Sequence, residues 1–151
     1  MIRNSFTAGE VHDLLGINAD TLRVWKRRGQ FVAEHSDGWS RYSFADLVSM
    51  AVGKKLMEAG IAVSIASNIA SGIVVRSFAH GEADSADFLV IQFDGRDGIN
   101  NWSVMTMNAK SLPNNLIAWR DEGPNQTIVI IDVVREVKDL DTKILTGGRL
   151  R

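Results

Sequence analysis

Thr7-Ala8-Gly9-Glu10 has the spacing of a capping box: a hydroxyl residue with glutamate three places on. Such a pair starts a helix by satisfying two backbone donors that have no intrahelical partner. Val11, Leu14 and Leu15 follow at helical spacing, and Gly16 is placed to end the helix in the left-handed conformation that glycine tolerates. Asn18 is a good N-cap for a second short helix. There Leu22 and Trp25 share one face, while Asp20, Arg23, Lys26 and Arg27 point elsewhere. Gly29 closes it. Two short helices joined by Gly16-Ile17-Asn18 make a helix-turn-helix candidate, with a linker about as short as that motif demands.

The rest of the first half supports that reading. Gln30 to Tyr42 lacks helical period and contains Ser36-Asp37-Gly38, the signature of a small hairpin or wing. Ser43-Phe44-Ala45-Asp46 is another capping signal, and Phe44, Leu47, Val48, Ala51 and Val52 mark an amphipathic stripe that should stop near Gly60. A fourth helix is expected to carry Ile65, Ile69 and Ile73 in a four-residue rhythm. Ala79 to Asp87 is polar, acidic and glycine-bearing, which reads as a linker.

Beyond it the period changes. Phe88 to Phe93 is a short apolar run, Trp102 to Met107 alternates, and Thr127 to Val134 is rich in β-branched residues, so three strands are expected. Asn114 to Trp119 has room for one helical turn or two. From Lys138 the chain reads as a flexible tail ending in Thr146-Gly147-Gly148-Arg149. The expected class is therefore α+β. Residues 1–78 form a winged helix-turn-helix of four short helices, 86–137 a small β-rich oligomerisation or sensing domain, and 138–151 the tail.

Composition narrows the function classes. The chain has 151 residues and no cysteine, which excludes disulfides, thiolate metal sites and cysteine nucleophiles. Three histidines supply metal chemistry poorly, and Asp94-Gly95-Arg96-Asp97-Gly98 lacks the remainder of a calcium loop. Asp121-Glu122 and Asp132/Glu136 do not form an acid/base pair by spacing, and no glycine loop is built for phosphate. An enzyme is not expected, nor a cofactor. No apolar run approaches the ~20 residues that span a bilayer, and Met1 to Phe6 does not open a signal peptide; the expected location is the cytoplasm, at the nucleoid. The first 81 residues carry nine basic and seven acidic side chains, the remainder eight and eleven. That bias permits a nucleic-acid partner for the first half.

From Thr7 to Ile69 the chain resembles the MerR-type winged helix-turn-helix. The resemblance rests on Phe6-Thr7-Ala8-Gly9-Glu10-Val11, on Leu15-Gly16-Ile17, on Thr21 to Gly29, on Gly38-Trp39-Ser40-Arg41-Tyr42-Ser43 in the wing, and on Ala45-Asp46-Leu47 with Glu58-Ala59-Gly60-Ile61. It implies double-stranded DNA as partner, with the second helix in the major groove and its N-terminal residues Asn18, Ala19, Asp20 and Thr21 at base edges. Asparagine pairs with adenine and aspartate accepts from cytosine. Arg23 matches the family's helix arginine and implies a phosphate contact. Trp25 stands where the family usually has tyrosine, and Lys26 and Arg27 add charge beside it. In the wing, Trp39 and Tyr42 flank Ser40, which replaces the usual arginine. Arg41 follows one place later and is the expected backbone clamp, because charge supplies affinity that serine cannot.

Two departures limit the resemblance. After Gly72 no sustained apolar stripe provides the long dimerisation helix of MerR regulators, and the effector-binding cysteines of the metal sensors are missing. Three strands leave sheet edges exposed, so a homo-oligomer through the C-terminal sheet is expected. Trp102, Trp119 and Met105 either line a ligand pocket there or simply pack. The expected function is a sequence-specific DNA-binding transcriptional regulator of bacterial or phage type. Similar domains occur in phage excisionases and small terminase subunits, and a protein-interaction module with the helix-turn-helix as scaffold is the reading from another class.

Overall fold

A computed structural model describes residues 5–33, 41–81, 86–94, 101–120 and 126–147. The elements run α1 (Ala8–Leu15), α2 (Ala19–Arg27), α3 (Phe44–Glu58), α4 (Val63–Ala70), α5 (Ile73–Ala79), β1 (Phe88–Asp94), β2 (Trp102–Met107), α6 (Leu112–Arg120), β3 (Gln126–Asp132) and α7 (Val133–Leu145). The class is α+β. Helices come first and a three-stranded sheet of order β2-β1-β3 follows.

The caps read from the sequence form. The Thr7 side chain accepts from the Glu10 amide while Glu10 accepts from the Thr7 amide. Gly16 ends α1 at φ 72°, and Asn18 Oδ1 accepts the Thr21 amide at 2.8 Å. Ser43 and Asp46 cap α3 reciprocally. Two lysines finish the end of α1. Lys54 Nζ donates to the Leu15 carbonyl at 2.7 Å and Lys143 Nζ to the Leu14 carbonyl at 3.2 Å. Carbonyls at a helix C-terminus have no intrahelical partner, and cations are favoured there.

α3 is the hub. Eleven of its fifteen residues are buried, including the fully enclosed Leu47, Met50 and Leu56, and each such side chain contributes about 1.5–3 kcal/mol. α1, α4, α5 and α7 all pack on it. Gly53 in its middle leaves a notch, and the ring of Phe31 fills it so closely that a Cβ there would overlap the ring.

The sheet has two covered faces. β2 and β3 both run antiparallel to β1, so they are parallel to each other. Such strands need a crossover, which α6 supplies. On one face Leu89, Ile91, Phe93 and Ile131 join the same apolar cluster as Leu47, Val52 and Val75. On the other, Val90, Met107 and Trp119 form a second cluster, with Phe88, Met105, Leu116 and Ile128 packed against it. Trp102 packs on the first face and Met105 and Trp119 on the second, so these three do not line one pocket. The polar segment after Ala79 separates helices from strands along the chain, yet the main core runs through both.

Three local expectations change. Ile73 does not continue the stripe of Ile65 and Ile69: α4 stops at Ala70, Gly72 starts α5, and Ile73 is 84% exposed. The last strand ends at Asp132, whose side chain accepts the Arg135 amide and so starts a helix two residues before the strand pattern runs out. Lys138 to Leu145, read as a tail, is helical because Val133, Val137, Leu140 and Ile144 return to one face and pack on the core. No helix among the described residues is long and apolar enough to cross a membrane.

Gly53→Ala should lower stability, although alanine is the better helix former by about 1 kcal/mol. Overpacking of this kind costs about 1–3 kcal/mol, and a thermal melt against wild type reads the net sign. A rise in the midpoint would contradict the packing described.

Candidate nucleic-acid interface

α2 is amphipathic in the strict sense. Leu22 and Trp25 are buried, while Asn18, Ala19, Asp20, Arg23, Lys26, Arg27 and Arg28 are exposed and Thr21 is half-buried. Arg23, Lys26 and Arg27 stand at helical i, i+3, i+4 spacing, so they form one cationic stripe. Lys26 and Arg27 also lie in the last turn, where the helix dipole favours positive charge.

Two of the residues expected at base edges have intrahelical partners. Asn18 spends its carbonyl oxygen on the Thr21 amide, which leaves its amide NH2 as the group for a base acceptor. Asp20 accepts from Arg23 at 2.8 Å, with 85% and 74% of the two side chains exposed. An exposed pair of this kind is worth about 0–1 kcal/mol, so an incoming phosphate competes with it readily.

Trp25 is only 7% exposed and its ring meets that of Phe31 at 4.6 Å between centroids. The structure places it in the core, where its bulk supports α2 from behind. Tyr42 is similarly buried, at 4%, and pairs through its backbone with Phe6 at 2.8 and 2.9 Å. Arg41, next to it, is exposed. Trp39 and Ser40 lie outside the described residues.

Several residues that hold this surface were not legible in the sequence. Phe31 sits at φ 47°, a left-handed conformation that costs a non-glycine residue about 1–2 kcal/mol. Its amide donates to Ser67 Oγ at 3.1 Å in a buried site. Arg76 in α5 donates to Asp46 at 3.0 Å, and Asp46 is 3% exposed. Asp46 carried a capping signal; its distant partner carried none. Among the described residues no group of three or more His, Asp or Glu is placed to hold a metal ion.

Asn18→Ala should lower stability by about 1 kcal/mol, whereas Asn18→Asp should keep the cap and stay within a few tenths. Urea denaturation of both variants separates the capping role from any role at DNA.

Residues 6–72 match the model of the family described as MerR HTH family regulatory protein. No curated protein matches the chain. The match ends before α5 and the sheet, so the later half is unrecognised. Residues 6–72 are therefore similar to the helix-turn-helix of MerR family regulatory proteins.

Proposed function

We propose that the protein is a sequence-specific transcriptional regulator of bacterial or phage type that works in the cytoplasm, at the nucleoid, as a homo-oligomer on palindromic or repeated sites. The observation that carries the reading is the exposed Arg23–Lys26–Arg27 stripe on an N-capped helix whose other face is locked into the core. Rigid mounting matters because a recognition helix reads base edges only if its position on the phosphate backbone is fixed. In this reading Asn18 and Thr21 face the bases, Arg23, Lys26 and Arg27 contact phosphates, and Arg41 clamps the backbone from the wing. Asp20 serves as an internal competitor that holds Arg23 until phosphate displaces it. Occupying a promoter then represses or modulates transcription.

Duplex DNA titrations at rising salt test this. The logarithm of the affinity should fall linearly with that of salt, and Arg23→Ala and Arg41→Ala should each reduce the slope by about one. An absence of duplex binding, or affinity flat with salt, would favour a protein-interaction module instead.

The homo-oligomer is assigned to the sheet. β3 is an edge strand, and from Thr127 to Ile131 it has no charge, proline or glycine to discourage pairing. Ile130 on it is 40% exposed. Ile130→Lys should shift the protein towards monomer in analytical ultracentrifugation while single-half-site binding survives. An unchanged mass would place the contact elsewhere.

A further inference from the structure

The chain leaving α2 is fastened to α4, and the chain entering α3 is fastened to α5. On the outgoing side, the Phe31 amide donates to Ser67 Oγ of α4 at 3.1 Å, and the Phe31 ring lies between Trp25 of α2 and the Gly53 notch of α3. On the returning side, Tyr42 pairs with Phe6, Ser43 and Asp46 cap α3, and Arg76 of α5 binds the same Asp46 at 3.0 Å. Phe31, Ser67 and Arg76 also line one open groove, together with Gly29, Val32 and Gly72.

From this arrangement we infer that α4 and α5 are the mount that sets Arg41 relative to the α2 stripe, with Ser67 and Arg76 as positioning residues for DNA. The inference rests on the DNA-binding reading above. The physical reason is geometric. Phe31 is held in a left-handed conformation that is disfavoured for a phenylalanine. The Ser67 hydroxyl and the notch are what hold it, so the direction in which the chain leaves α2 depends on α4. Asp46, three residues beyond Ser43, fixes where the chain returns, and its direction depends on α5. Two phosphate contacts from α2 and Arg41 add only if both groups meet one duplex at once.

The mount also has a second side. α5 lies beyond the family match and contacts β2 and α7. A change in the sheet half therefore has a short route to Arg41, through α5, Arg76 and Asp46.

The test is a double-mutant cycle on a mixed-sequence duplex longer than two helical turns, with the full chain. Ser67→Ala, Arg41→Ala and the double variant are titrated across salt, after thermal melts show each folded at the assay temperature. If Ser67 positions Arg41, Ser67→Ala weakens binding several-fold and flattens the salt slope by about one. Arg41→Ala then adds little in that background, and Ser67→Thr, which keeps the hydroxyl, restores both. Losses that multiply, or an unchanged slope in Ser67→Ala, overturn the inference while leaving the DNA-binding reading intact. A wild type that binds no duplex sinks both. Phe31→Leu keeps the amide donor but vacates the notch, so it carries the same cycle if Ser67→Ala does not fold.

Discussion

A helix enclosed on nearly every side has to find apolar partners in every direction, and α3 sets that demand for the whole chain. Its Leu47, Met50, Val52 and Leu56 are sealed off from water. The helix-turn-helix alone cannot cover them. α4 and α5 take one flank, and α7, which follows the edge strand β3, takes another. The surface proposed to meet DNA and the sheet are thus two outer layers of one core rather than beads on a string. The main apolar cluster joins Val11 and Leu22 to Leu89 and Leu140 without a break.

Much of the first half was legible because its signals are local. Thr7 with Glu10, Gly16, Asn18 and Ser43 with Asp46 each act within one turn of backbone, and each formed as its residue types require. The cationic stripe was legible for the same reason, since i, i+3, i+4 spacing is a property of the helix alone. The burial of Trp25 was legible too, from the face that it shares with Leu22. Its ring partner was not, because nothing in the residues 25–31 announces the conformation that brings Phe31 over it.

The second half shows the opposite failure. Strands were found from an apolar run, an alternation and a β-branched run, but the boundary between β3 and α7 was not, because Val133 and Val134 extend the strand composition while the Asp132 side chain starts a helix beneath it. A capping residue inside an apolar run outweighed propensity. The ion pair of Arg76 with Asp46 was invisible for another reason: thirty positions separate its members, and sequence pattern carries no information about which distant charges meet.

Lys143 gives these long separations a temporal meaning. It supplies a hydrogen bond to the Leu14 carbonyl across 129 positions, so the end of α1 is finished only after nearly all of α7 has been made. Contacts of such span slow folding, because the intervening loop must close before they form. A polypeptide cut short by a late stop codon would keep every residue of the helix-turn-helix and still lack its final fastening.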